Sequence, residues 1–244
     1  MGRRTVGDLY QRRRHAVTAR VDHLVIAAST LQEGVAWCER TLGISPGPGG
    51  EHPLMGTHNR LFSIATEQYP RAYFEIIAIN KEAARARINS AKRWFDLDNA
   101  ALQAHLKQNG PQLIHFVAST PDAVAATQSL ANLGIDRGEL LSASRMTAHG
   151  LLSWQITVRT DGQRLMNGTL PTLIEWGEAH PTQHMAASGV TLQSLTASQP
   201  DVAQLTAAYS AIDLQGVAVV QGPAKLVAML ATPRGLVSLQ SNGL

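Results

Sequence analysis

Arg20-Val-Asp-His-Leu-Val-Ile-Ala-Ala28, followed by Ser29 and Thr30, sets the pattern by which the rest of the chain is read. Leu24 and Ile26 alternate with His23 and Val25, the period of two that marks a strand. One face holds Leu24 and Ile26, the other His23. Ser29 or Thr30 then supplies an N-cap, and Glu33 puts an acid in the first turn of a helix. That helix runs through Leu31, Val35, Trp37, Cys38 and Leu42 to Gly43, a C-cap. The Pro/Gly-rich loop Ser45-Pro-Gly-Pro-Gly-Gly-Glu-His-Pro53 breaks the chain, since neither residue continues a regular element there. A short irregular strand near this loop and two good strands, Thr57–Ala65 and Ala72–Ile79, complete a βαβββ unit over residues 20–79.

The same grammar restarts twice. Gln112-Leu-Ile-His-Phe-Val-Ala118 is a strand, and Thr120-Pro121-Asp122 opens a helix to Gly134 with an N-cap, a proline and an acid. Strands are predicted at Glu139–His149, Leu151–Arg159 and Thr172–Trp176, so the second module covers residues 111–180. Between the modules, residues 80–110 read as a helical insert with Ile88, Trp94, Phe95, Leu102 and Leu106 as its apolar positions, divided at Asp98 or Asn99. A third βαβββ-like unit fills residues 188–244, with strands at Gly189–Thr196, Gly216–Val220, Lys225–Leu230 and Gly235–Gln240 and a helix to Ile212. Repetition fixes architecture without an alignment. The fold class is therefore α+β, with residues 20–187 as a two-module domain and residues 1–19 as a basic extension.

Composition excludes several classes of function. The 244 residues are 44% apolar and 16% charged, which fits a folded chain with a real core. No run approaches the roughly 20 apolar residues of a membrane span. The net charge of +3 conceals an uneven distribution. Residues 1–20 hold six arginines against Asp8, about +5, while 15 basic and 17 acidic residues leave the body near −2. The body has no basic stripe, so neither nucleic acid nor membrane is an expected partner. Cys38 alone permits no intrachain disulfide and no cysteine-rich zinc site. A reducing, cytoplasmic setting fits that single thiol.

Four polar residues stand mid-strand among apolar neighbours: His23 and Glu75 in the first module, His115 and Glu175 in the second. A buried carboxylate must be paired, metal-bound or turned to a wet cleft. Two imidazoles and two carboxylates suit a divalent ion such as Zn, Ni, Co, Mn or Fe. A core histidine satisfied by hydrogen bonds is the competing reading for each His taken alone. Cys38 reads as a small core residue, His105 and His149 as surface, and Glu178, His180 and His184 as a solvated loop.

With His on the first strand and Glu on the last strand of each βαβββ module, residues 20–180 resemble the vicinal oxygen chelate superfamily. Gly50-Glu-His-Pro-Leu-Met-Gly-Thr-His-Asn59 resembles its glyoxalase-like domain branch. The resemblance implies paired modules around a cleft, with His23, Glu75, His115 and Glu175 as ligands of one metal. It implies a lyase or isomerase that binds a small oxygenated substrate through adjacent oxygens and stabilises an enediolate. Glu175 would be the base, with Glu75 its pseudo-symmetric alternative. An Fe(II)-dependent ring-cleaving dioxygenase and a metal-free binding or resistance protein are the other readings. The loop residues His52, His58 and Asn59 are placed for substrate contact. The third module offers no ligand set, so it reads as structural. Its open apolar face is expected to pack on the insert or to form a homodimer.

Overall fold

The computed structural model describes residues 18–86 and 92–243. The arginine-rich start through residue 17 and Ile88 of the insert lie outside them. The first module is β1 (Arg20–Ala27), α1 (Leu31–Leu42), β2 (Glu51–His52), β3 (Thr57–Ser63) and β4 (Tyr73–Ile79). The insert holds α2 (Lys81–Ala86), a 3-10 turn at Trp94–Asp96 and α3 (Ala100–Asn109). The second module is β5 (Gln112–Ser119), α4 (Ala123–Ala131), β6 (Glu139–Thr147), β7 (Gly150–Val158) and β8 (Thr172–Trp176). The third is β9 (Thr191–Gln199), α5 (Val202–Ala211), β10 (Val217–Gln221), β11 (Lys225–Thr232) and β12 (Gly235–Gln240). The α+β class with βαβββ modules is as the repeat predicts. Helix starts follow the sequence signals: Thr30 accepts from the Glu33 amide, Asp122 from that of Ala125 and Asp201 from that of Gln204.

Modules one and two form a single sheet of eight strands, ordered β2-β3-β4-β1-β5-β8-β7-β6. In each module the first strand pairs in parallel with the last, and β1 joins β5 antiparallel at the seam. The two edges of this sheet nearly touch. A Cβ on Gly50, just before β2, would lie 1.6 Å from Nη1 of Arg145 on β6. The sheet therefore curls around its concave face, and that face holds the site. The insert plugs one end of it: Trp94, Phe95, Leu97, Leu102 and Leu106 share a core with Val25, Ile77, Ile114 and Ile174. Phe95 stands at φ 59°, a left-handed conformation that bulky residues avoid. Burial of its ring, stacked on Trp94 with centroids 5.2 Å apart, holds it there.

The third module repeats the element order but not the wiring. Its sheet is ordered β10-β9-β11-β12, so the first strand is central and pairs in parallel with the strand directly after the helix. The connections differ in where they lead. Residues 43–50 and 132–138 follow the helices of modules one and two and carry the chain three strand positions, about 14 Å, to the sheet edge. Residues 212–216 after α5 lead to the position beside the first strand. The apolar face of this small sheet is covered within the chain, by the large sheet. Leu192, Leu195, Leu226 and Leu230 share one core with Leu24, Phe74, Phe116 and Leu173 on the convex side of the large sheet. Backbone bonds seal the contact, Leu192 N–H to Ile64 O at 2.9 Å and Ala19 N–H to Ile212 O at 3.0 Å. The open face that motivated a homodimer is thus absent among the described residues. No helix among them is long and apolar enough to cross a membrane.

Candidate active site

The site begins with an irregularity in β1. Its pairing with β5 shifts register between Val21 and His23, which makes Asp22 the extra residue of a β-bulge. Val21 and Leu24 both enter the convex-side core, leaving Asp22 and His23 together on the concave side. Asp22 is fully buried, and its Oδ1 lies 2.7 Å from His23 Nδ1. Its Oδ2 accepts from Trp176 Nε1 at 2.9 Å and lies 3.1 Å from His180 Nε2. Burial by itself would raise the Asp22 titration, but the hydrogen bonds from His180 and His23 outweigh it and hold the carboxyl well below its ordinary range. Asp22 is therefore an anion, and the proton in the short contact resides on His23 Nδ1. This leaves His23 Nε2 free to face the cleft.

Glu75 meets that nitrogen. On β4, Phe74 and Ile76 turn to the convex-side core and Glu75 to the cleft, as alternation predicts. Glu75 Oε2 lies 3.5 Å from His23 Nε2, and Oε1 accepts from Asn59 Nδ2 at 2.6 Å. Asn59 is fixed in turn because its Oδ1 accepts the Gly50 N–H at 2.7 Å. A Cβ on Gly49 would lie 1.9 Å from the Asn59 carbonyl oxygen, so the glycine run is what lets the loop lie against β3. His52 Nε2 is 3.4 Å from Asn59 Nδ2, and its Nδ1 is 3.0 Å from Thr57 Oγ1. Burial, chiefly, lowers the His52 titration to about 4, so this ring is neutral near neutral pH. Tyr73 stacks on His23 with centroids 4.4 Å apart. Its phenol is pushed up by burial first and then by the charges of Asp22 and Glu75. His58, expected to contact substrate, does not line the cleft, because strand alternation sends Thr57, Asn59 and Leu61 inward and His58 away.

Module two contributes differently from expectation. His115 is completely buried with both ring nitrogens occupied. Nδ1 lies 2.9 Å from Gly168 O, and Nε2 accepts the Thr172 N–H at 3.1 Å. Burial first, then the Arg137 charge, drives its titration well down, so it is a neutral structural ring with no lone pair to offer. Glu175 lies on the other face of β8. Leu173 enters the convex-side core and Ile174 the concave one, so Glu175 follows Leu173 outward. Its Oε2 accepts the Ala123 N–H at 2.8 Å and so satisfies an orphan donor at the start of α4. Glu175→Ala is expected to leave ligand binding in the cleft unchanged and to lower stability by about 1 kcal/mol, the usual worth of a capping acceptor. Urea unfolding checks this, and a loss of cleft binding would refute it. Of the four proposed ligands, then, only His23 and Glu75 come together. Among the described residues no three of His, Cys, Asp or Glu form a metal-binding group. Neither the four-ligand site nor the two-His, one-carboxylate face of a dioxygenase is supplied by these side chains.

What module two does supply is Arg145, Trp154 and Trp176, which complete the wall around His23, Asn59 and Glu75. His180, read from sequence as a solvated loop residue, is 1% exposed and is one of three donors to Asp22. Asp22 was hidden by the bulge, which no alternation rule reveals. Arg145 did carry a signal: Leu141, Ala143 and Arg145 share one face of β6, and a cation on the apolar side of a strand is out of place unless it has a task.

Residues 21–212 match the family model of the glyoxalase-like domain, which runs beyond the two cleft modules to take in β9 and α5. Among solved structures, a hypothetical protein from Staphylococcus aureus aligns with TM-score 0.55 at 15% identity, over 91% of this chain and 85% of that one. Streptomyces coelicolor methylmalonyl-CoA epimerase aligns with TM-score 0.41 at 18% identity, over 67% of this chain and 98% of that one. The Mycobacterium tuberculosis methylmalonyl-CoA epimerase gives 0.36 and 15%, over 65% and 87%. At 15% identity the likeness to the Staphylococcus aureus protein is one of fold. No curated protein matches the chain.

Proposed function

This chain belongs to the glyoxalase-like domain family of the vicinal oxygen chelate superfamily, and from that premise we propose that it is an enzyme of isomerase or lyase type that moves a proton on a small oxygenated substrate. The observation that carries the reading is the run Asp22–His23–Glu75. Asp22 fixes the tautomer and orientation of His23, as a buried carboxylate does for a catalytic histidine. His23 Nε2 and Glu75 Oε2 face each other across 3.5 Å, close enough for one to pass on a proton that the other takes up. Empty of that proton, the pair is a base; carrying it, the pair is an acid. It can take hydrogen from a carbon beside a carbonyl and return it. Asn59 holds Glu75 in place, and Arg145 brings a positive charge to the same cleft. The metal-dependent form of this chemistry is not carried over, because module two commits its histidine to Gly168 and Thr172 and its glutamate to α4.

Proton exchange in heavy water tests the proposal. A panel of 2-oxo and 2-hydroxy acids, aldehydes and thioesters is followed by the loss of the C–H resonance next to the carbonyl or hydroxyl. Enzyme-dependent washout from at least one member is expected. Ligands that bind the cleft without any exchange would make the protein a binding module instead.

A further inference from the structure

The charge and shape of the cleft point to one class of substrate. Both of its carboxylates are already served: Asp22 by His23, His180 and Trp176, Glu75 by Asn59 and His23. Arg145 is not. Among the described residues no carboxylate lies within ion-pair distance of it, and its Nη1 is buried with no hydrogen-bond partner. A guanidinium with an idle buried N–H is costly unless a ligand answers it. The protein makes room for the group at that place: the Gly50 backbone lies so close that a methyl there would collide with Nη1.

Arg145 also stands at a junction. Inward of it lies the narrow cavity that holds His23 and Glu75, about 40 Å³, room for a few atoms. Outward lies a chamber of about 300 Å³ with walls of Leu54, Met55, Trp94, Leu141, Trp154 and Val158. His52, Trp94, Arg145, Trp154 and Ile156 line both. A molecule that fills the two spaces must present an anion at the doorway, a small reacting centre inward and an apolar body outward. The chamber volume is at the small end of ligand sites and suits a ring or a branched chain.

We propose that the substrate is a monocarboxylic acid bearing an aryl-sized apolar group, its carboxylate held by Arg145 and its apolar group between Trp94 and Trp154. This rests on the reading of the cleft as a catalytic site, yet its test needs no turnover. The intact protein is titrated with 3-phenylpropanoate, 3-phenylpropanamide and propanoate, followed by tryptophan fluorescence and calorimetry. The aryl acid should bind about tenfold or more tighter than its amide, the worth of one charge-assisted hydrogen bond. It should also bind at least about tenfold tighter than propanoate, since a buried ring removes well over the area that one such factor requires. Arg145→Gln should erase the preference for acid over amide. Gly50→Ala should do the same by displacing the guanidinium, so a folding defect in one variant leaves the other to decide. Equal binding of acid and amide, equal binding of both acids, no binding at millimolar concentration, or an acid preference that survives both variants would each overturn the proposal. If the aryl acid binds with these preferences and no exchange is found with any substrate, the proton-transfer reading fails while this one stands.

Discussion

His23→Gln lowers proton exchange by about 10²–10⁴-fold, the range that a positioned acid–base group contributes. The substitution is chosen to be gentle. A glutamine amide can still donate to Asp22, so the buried carboxylate keeps a partner and the fold is preserved. What is lost is the nitrogen lone pair that faces Glu75 from 3.5 Å. Asp22→Asn should produce a defect of the same order by a different route. The carboxamide no longer fixes the proton on His23 Nδ1, and the ring is free to adopt the wrong tautomer. Initial rates of deuterium incorporation give both numbers. A His23→Gln variant that kept more than a tenth of the rate would transfer the role of base to Glu75, and Glu75→Gln would then show the larger loss.

Phe116→Ala lowers stability by about 3–5 kcal/mol, as removal of a fully buried ring does. Phe116 lies on β5 at the middle of the convex side and is inaccessible to solvent. Its ring meets that of Tyr209 on α5 edge-on, with centroids 6.5 Å apart. Tyr209 in turn donates its hydroxyl to Thr169 O at 2.6 Å, in the segment that leads into β8. The cavity would therefore open between the third module and the cleft modules together. Urea unfolding followed by both far-UV circular dichroism and tryptophan fluorescence should show one shared transition, displaced to lower denaturant. Two separate transitions, or a loss below about 1 kcal/mol, would mean that the third module folds by itself and merely rests on the sheet. A chain ended at Ser188 is expected to aggregate, since it uncovers Leu24, Phe74 and Phe116.

The architecture was legible in the sequence wherever it depends on period. The alternation around Leu24 and Ile26, the Thr-Pro-Asp and Gln-Pro-Asp helix openings and the Gly-Pro breaks are local, and each produced the expected element. The first half of the site was legible for the same reason, since Glu75 and Asn59 sit on strands whose faces follow simple alternation. The second half was not. Equating Glu175 with Glu75 by its place in a strand ignored that Leu173 and Glu175 share a face, and a shift of one residue reverses every side chain. His115 occupies the expected place, but its fate was decided by Thr172 and Gly168, more than fifty residues away in sequence. The wiring of the third module depends on which strand position the connection after α5 leads to, which a list of elements does not encode.

The bulge at Asp22 has a further effect on how the two halves of the cleft divide their labour. An orienting acid and the base it orients are here joined by a single peptide bond. Their mutual geometry is insulated from any flexing between the modules. Arg145, by contrast, rides on an edge strand that only β7 tethers to the sheet. Breathing of that outer hairpin would loosen or tighten the hold on a ligand while the proton-handling unit stays rigid, so that affinity and chemistry can be tuned by mutation almost independently.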